Sequence, residues 1–187
     1  MTISIRPAIA TELPLLAAIE VSAASCFALL PELESECDYP TLPIELLRQF
    51  EVFVAVNDTT GARNATLATE RQLVGFIALR LLDGTPFVAK VSVLRQWQQQ
   101  GVGKALLRQL EARAREICGQ ATISLTTYRD VPWNGVWYSR MGYKEVLDED
   151  VGTVLGAEHF ALLSRSRLAH NHEAWAWVAM AKPAVLR

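Results

Sequence analysis

The sequence predicts a single α+β domain over residues 1–187, a layer of mixed sheet with helices on both faces. Three observations carry this. The chain has 187 residues, 51% of them hydrophobic, which is enough to bury one sizeable core. Short apolar runs alternate with helical stretches along the chain, with no internal repeat and no linker to mark a second domain. One apolar strand, over 87–94, runs through a polar turn straight into an amphipathic helix opened by two glycines.

The elements follow in order. Ile3 and Ile5 alternate with polar residues and stop at Pro7, a first strand. Thr11 has the chemistry of an N-cap for a helix carrying Leu15, Leu16, Ile19 and, if it runs that far, Phe27. Pro31 ends or kinks that helix. Residues 31–43, with Glu32, Glu34, Glu36 and Asp38, read as a loop. A short helix over 44–50 and a buried strand over 52–56 come next. Residues 57–70 are polar and small, a long hairpin excursion leading to a returning strand over 73–82. Asp83-Gly84-Thr85-Pro86 is a turn. After the strand over 87–94, the helix beginning past Gly101 places Lys104, Arg108, Glu111 and Arg115 on one face. Val102, Leu106, Leu110 and Ile117 lie on the other, and Gly119 stops it. A strand over 122–127, a helix over 133–141, a strand over 143–146, helical stretches within 151–171 and a strand over 175–180 complete the chain.

Composition removes several classes of function. Net charge is −2, from 18 basic and 20 acidic side chains, with no basic run, so nucleic acid is not an expected partner. Cys26, Cys37 and Cys118 are odd in number and lack metal-ligand spacing, which suits a reducing cytoplasm and buried thiols. The first residues hold no long apolar core, and no run approaches the ~20 apolar residues of a membrane span, so no membrane partner is expected. His159, His170 and His172 are not spaced as a metal site and read as exposed or packing histidines. No metal is expected.

The chemistry concentrates in Gln98-Gln99-Gln100-Gly101-Val102-Gly103-Lys104. Two glycines let the backbone turn tightly. The free N–H groups of the following helical turn point outward at the positive end of the helix dipole, a site for phosphate or pyrophosphate. A P-loop fails on spacing, because Gln98 and Ala105 stand where Gly and Ser/Thr are needed. A dinucleotide fingerprint fails because Leu106 stands at the third Gly. The pattern left, Gln98-x-x-Gly101-x-Gly103 after a strand, resembles the acyl-coenzyme-A pyrophosphate loop of the GCN5-related N-acetyltransferases, the GNAT family. A second segment strengthens the likeness. Asn134, Tyr138, Gly142 and Tyr143 are similar to that family's Asn, short helix, Tyr and Gly-[Phe/Tyr] leading into a strand. Both motifs occur in the right order and separation. The resemblance spans Ile3 to about Lys182, with the first third and last thirty residues matching only in outline.

The resemblance implies a mixed, mostly antiparallel central sheet flanked by helices on both faces. It implies acetyl transfer from acetyl-coenzyme A to a primary amine, of a small molecule or a protein amino terminus, by direct attack on the thioester. The cofactor would be held by Gln98, Gln99, Gln100, Gly101, Val102, Gly103 and Lys104, chiefly through backbone N–H groups, and by Asn134 and Tyr138. Gln99 and Gln100 replace basic residues common in relatives. The pantetheine arm would pair with Val91 to Leu94 like an added strand, with the N–H of Val93 on the thioester carbonyl. Tyr138, a phenol of pKa ~10, would donate a proton to the leaving thiolate. Many relatives carry a Glu base in this strand; the aligned position is Ala89, with Lys90 beside it. Asp130, or an acid within 32–38 acting through water, is the substitute, and an amine of low pKa would need no strong base. Trp133 and Trp137 are candidates for lining the acceptor mouth. The alternative is a non-catalytic acyl-coenzyme-A-binding sensor or regulatory protein; loss of the strand carboxylate favours it, and Tyr138 favours the enzyme. The resemblance leaves a homodimer open.

Overall fold

The computed structural model describes residues 2–58, 72–119, 122–170 and 174–182. In chain order they form β1 (Ile3–Pro7), α1 (Leu16–Ala24), α2 (Ile44–Leu47), β2 (Glu51–Asn57), β3 (Gln72–Leu82), β4 (Thr85–Val93) and α3 (Val102–Cys118). Then come β5 (Ile123–Tyr128), α4 (Gly135–Arg140), β6 (Lys144–Val146), α5 (Asp148–Asp150), α6 (Ala157–Ala169) and β7 (Trp177–Lys182). The seven strands form one mixed sheet in the order β1-β2-β3-β4-β5-β7-β6. The pairs β1/β2, β5/β7 and β6/β7 are antiparallel, and β4/β5 is parallel. The expected mixed, mostly antiparallel sheet is borne out.

By compactness the chain divides into Met1–Ala78 with Lys90–Leu110, and Leu79–Ala89 with Glu111–Arg187. In the first unit β1 pairs with β2 along its whole length, Ile5 opposite Ala55. Thr11 does not cap the following helix. The boundary residue is its neighbour Glu12, whose carboxylate accepts the Ile9 N–H at 3.0 Å and a two-armed bond from Arg6. A 3₁₀ turn over Leu13–Leu15 then leads into α1 and leaves Leu15 exposed, while Leu16 and Ile19 are buried. The expected loop after Pro31 is instead a 3₁₀ helix, Pro31–Asp38. Pro31 starts it, since its fixed φ and missing N–H suit a first helical position, and Leu33 and Glu36 are buried along it. The helix expected over 44–50 shrinks to α2. Most of the expected hairpin excursion, 59–71, lies outside the described residues. Gly75 in β3 has a steric reason: a Cβ there would stand 2.9 Å from the Ser92 carbonyl oxygen and 3.2 Å from Leu106 and Val93.

In the second unit β5 pairs with β7 from Ile123↔Lys182 to Tyr128↔Trp177, and β6 covers the other edge of β7. Val151, Leu155, Leu163, Ala179 and Ala181 form a buried cluster. Asp83 and Gly84 both have positive φ, the backbone of a tight Asp-Gly hairpin turn between β3 and β4, so β4 begins at Thr85 rather than 87. Two side-chain expectations are corrected. Glu111 is not on a solvated face: it is buried, with the Lys182 ammonium 3.0 Å away. Ile117, placed with the buried face, is exposed. His159 is a packing histidine, buried between Ser124 and Asp83. His170 packs as expected, stacked on Trp177 at 4.2 Å, and His172 lies outside the described residues. Cys26 is buried, its thiol pushed up to about 11 by desolvation, whereas Cys37 and Cys118 are only half-buried. No helix among the described residues is long and apolar enough to cross a membrane.

Candidate active site

The first group of site residues lies where β4 leads into α3. After Val93 the chain makes a 3₁₀ turn over Arg95–Trp97, closed by the Trp97 N–H on the Leu94 carbonyl at 2.7 Å, with the indole of Trp97 buried. The carboxamide of Gln98 turns inward. Its Nε2 donates to the Val93 carbonyl at 3.1 Å and to the Ala23 carbonyl at 3.4 Å, while Arg95 Nη1 donates to its Oε1 at 2.9 Å. That side chain ties the loop to the end of β4 and to α1. Gln99 (φ +61°) and Gly101 (φ +85°) both sit in the left-handed region. No heavy atom lies within 4 Å of a Cβ built on Gly101, so conformation and not space calls for glycine there. The first helical bond runs from the Ala105 N–H to the Gly101 carbonyl at 3.0 Å. The N–H groups of Val102, Gly103 and Lys104 therefore precede it and open toward the helix start.

These donors fit a pyrophosphate. A 17-residue helix supplies the positive dipole end, three successive backbone N–H groups supply directed bonds, and the exposed Lys104 adds a cation. Gln99, Gln100 and Gly101 are exposed, whereas the Val102 side chain is buried, so Val102 has only its backbone to offer. On β4, Val91 is half-buried and Val93 buried.

Lys90 brings in a residue that sequence reasoning missed. Its ammonium lies 2.9 Å from Glu20 Oε2, and the Glu20 carboxylate, 4% exposed, also accepts the Leu42 N–H at 3.2 and 3.3 Å. The signal was present in Leu16-Ala17-Ala18-Ile19-Glu20-Val21-Ser22-Ala23-Ala24, where one acid sits in an otherwise uncharged, largely apolar helix. A buried acid in such a helix needs a partner. Lys90 is therefore neutralised and not an isolated repelling cation beside Ala89.

The second group lies in the segment after β5. The Arg129 N–H bonds the Ala176 carbonyl at 2.8 Å, and its guanidinium grips Glu145 through two bonds, 2.8 and 2.6 Å. Asp130 is exposed. Asn134 precedes α4; its N–H bonds the Val131 carbonyl at 2.9 Å and its carbonyl takes the Tyr138 N–H at 2.9 Å. Gly135, which the sequence reading did not single out, is the tightest position in the segment. A Cβ there would run into the Arg129 carbonyl and stand 2.7 Å from the Tyr128 carbonyl oxygen. The close approach lets α4 start immediately and sets Tyr138 one turn later. Tyr138 is buried, edge-on to Trp137 at 4.8 Å and to Tyr143 at 5.6 Å, and desolvation pushes its hydroxyl well above the usual phenol range. Gly142 (φ +93°) turns the chain so that the Tyr143 N–H returns to the Tyr138 carbonyl at 3.1 Å. Trp133 and Trp137 are half-buried.

Comparison with known proteins bears on the fold and the family. The acetyltransferase (GNAT) domain matches residues 48–145, just over half of the chain, including both motif segments. Among solved structures, the chain is similar to the ribosomal-protein-S18-alanine N-acetyltransferase from Escherichia coli, with a TM-score of 0.61 at 14% identity, covering 100% of this chain and 96% of that one. It is similar to the PaiA N-acetyltransferase of Thermoplasma acidophilum in complex with coenzyme A, with a TM-score of 0.64 at 16% identity over 98% and 99% of the two chains. A GNAT-family acetyltransferase from Staphylococcus aureus gives a TM-score of 0.62 at 18% identity over 98% and 100%. At these identities the structures establish a shared fold, and the domain match establishes the family, one that uses acetyl-coenzyme A. The chain is a member of the GNAT acetyltransferase family.

Proposed function

We propose that this chain, acting as a single cytoplasmic domain, transfers the acetyl group of acetyl-coenzyme A directly to a primary amine of a small molecule or of a protein amino terminus. The observation that carries this is the start of α3, where left-handed Gln99 and Gly101 precede three outward N–H groups. Bound acetyl-coenzyme A supplies an activated thioester carbon. The N–H groups of Val102, Gly103 and Lys104 hold its pyrophosphate, with Gln98 fixing the loop from behind and Gln99 and Gln100 at its rim. The backbone of Val91 and Val93 aligns the pantetheine arm, and Asn134 and Tyr138 complete the cofactor contacts.

Asp130 takes the proton of the attacking amine at a carboxylate oxygen. Tyr138 serves as the donor to the leaving sulfur. Burial keeps its phenol protonated, which suits a donor. Burial also weakens it as an acid. Even an ordinary phenol is ~1.5 pKa units less acidic than an ordinary thiol, so full transfer costs about 2 kcal/mol. Its main contribution is then a hydrogen bond to the sulfur as charge develops there.

An acetyl-coenzyme A consumption screen across amine classes, run with calorimetric titration of coenzyme A, tests the reading. Turnover with an amine supports it. Tight binding without turnover for any amine points to the sensor reading, which the absence of a carboxylate at Ala89 favours. Absence of binding sinks both.

A further inference from the structure

Outside these residues the second unit holds a chain of three polar groups. Ser124 Oγ lies 2.7 Å from His159 Nε2, and His159 Nδ1 lies 3.1 Å from Asp83 Oδ2. The order is that of a hydrolytic Ser-His-Asp triad. Access excludes that use, since Ser124 is 0% and His159 2% exposed. No substrate carbonyl can reach the hydroxyl.

What the three groups join is informative. Among the described residues the parallel β4–β5 pair is bridged at one register position, Phe87↔Ser124. Ser124 Oγ also lies 3.3 Å from the carbonyl oxygen of Pro86, the residue before Phe87, a second acceptor its single proton can turn to. The His159 ring stands edge-on to Phe87 at 5.8 Å. Asp83, in the β3–β4 turn, accepts the N–H groups of Glu158 and His159 at 2.8 and 3.1 Å, and so caps the start of α6. Gly156 (φ +116°) makes room for it, because a Cβ there would overlap the Asp83 carboxylate. Turn, bridge and helix are fastened at one point.

We propose that His159 is a positioning residue for cofactor binding: with Asp83 and Ser124 it clamps the bridged end of β4 and β5, and thereby fixes the course of β4 onward to Val91 and Val93. The link to the cofactor rests on the proposed function; the clamp itself does not.

The groups facing the ring are Asp83 from the turn, Glu158 from α6, Arg80 from β3 and Ser124 from β5. Desolvation lowers the His159 pKa, Asp83 opposes that, and the net shift is downward. Near pH 7 the ring is neutral: Nδ1–H donates to the acceptor-only Asp83, and Nε2 accepts the Ser124 hydroxyl proton. When a solvent proton reaches Nε2 at lower pH, that nitrogen becomes a donor to Ser124 Oγ, and the hydroxyl rotates to donate to the Pro86 carbonyl. Every group stays bonded in both states, so the clamp survives titration as long as residue 124 has a hydroxyl.

The test compares wild type with Ser124→Ala and His159→Gln. Amide exchange protection factors are measured in the ligand-free protein at pH 7.5 and 5.5, and coenzyme A affinity by calorimetry. In Ser124→Ala, protection over 87–91 should fall about tenfold, the equivalent of one lost hydrogen bond. Wild type should hold its protection at both pH values. Coenzyme A binding should weaken about five- to tenfold in both variants. Lost protection confined to the turn and α6, with β4 protection and coenzyme A affinity unchanged, overturns the proposal. If wild type binds no coenzyme A the functional reading fails, and the exchange data still decide the clamp.

Discussion

Replacing Gly101 by Asn and by Asp isolates the electrostatic part of pyrophosphate binding. The two side chains have nearly the same shape, and both tolerate the left-handed backbone that Gly101 adopts at φ +85°. Because no heavy atom lies within 4 Å of a Cβ at this position, neither variant meets a steric obstacle. Both should lose about 1 kcal/mol, or about 2–4 °C in Tm, from the backbone preference alone. They differ by one negative charge beside the N–H groups of Val102, Gly103 and Lys104. Against two pyrophosphate charges at ~7 Å, the repulsion is about 1.2 kcal/mol in water and about 5 kcal/mol at an effective dielectric of ~20. Gly101 is exposed, which puts the value near the wet end, at about 1–2 kcal/mol. Calorimetry should therefore find coenzyme A bound about five- to thirtyfold more weakly by Gly101→Asp than by Gly101→Asn. The gap should narrow as salt rises toward ~0.5 M, because exposed charges are screened. Equal affinities for the two variants, or a gap indifferent to salt, would remove the start of α3 from the site.

Gly135→Ala should be strongly destabilising, since the neighbours of the new Cβ are the Tyr128 and Arg129 carbonyls, which cannot rotate away. A loss of about 3 kcal/mol, or about 6–12 °C in Tm, is expected in thermal unfolding, and an unchanged Tm would refute the contact. Glu12→Gln should cost about 1 kcal/mol at pH 7. Arg6 holds the Glu12 carboxyl below its usual range, so its contribution is present above the unfolded pKa and lost as pH falls through the lower folded value; the Tm gap between wild type and variant should close in acid, and a constant gap would contradict the assignment. Tyr138→Phe should lower kcat about 10²-fold with little change in the KM for acetyl-coenzyme A, and an equally active variant would leave solvent as the proton source. Ala89→Glu should raise turnover of high-pKa amines below about pH 8.

The loop and the Asn134–Tyr143 segment were legible because local sequence decides them. Glycines at tight or left-handed positions, a strand feeding a helix and a Tyr one turn past an Asn leave direct traces. What escaped was set by tertiary partners. Glu111 sits at helical spacing from Lys104, Arg108 and Arg115 and reads as solvated charge; only the return of β7 brings Lys182 to 3.0 Å and makes burial tolerable. Periodicity could not have shown that pairing across 71 residues. His159 likewise takes both its partners from distant strands and turns. Thr11 has a good capping side chain, but the helix boundary falls one residue later at Glu12, whose carboxylate turns back to Arg6 on β1 and to the Ile9 N–H. Pro31–Asp38 looked like a loop because its acids outnumber its apolar residues, yet Leu33 and one of those acids, Glu36, are buried along its 3₁₀ helix.

The missing carboxylate at Ala89 has to be weighed with the pair beside it. Lys90 alone would put a positive charge on the strand that leads to Val91 and Val93, and a cationic amine would be repelled. Glu20 at 2.9 Å cancels that charge, so the strand is close to neutral here. A neutral strand neither attracts an ammonium nor helps to deprotonate it. Removing the proton from an alkylamine of pKa ~10.4 costs about 4–5 kcal/mol at pH 7, whereas an α-amino group of pKa ~7.7–8.0 costs about 1 kcal/mol. The difference is about what a well-placed strand carboxylate contributes as general base. Within the proposed activity, the Ala89–Lys90–Glu20 arrangement is thus better matched to an amine of low pKa, such as an amino terminus, than to a lysine-like side chain.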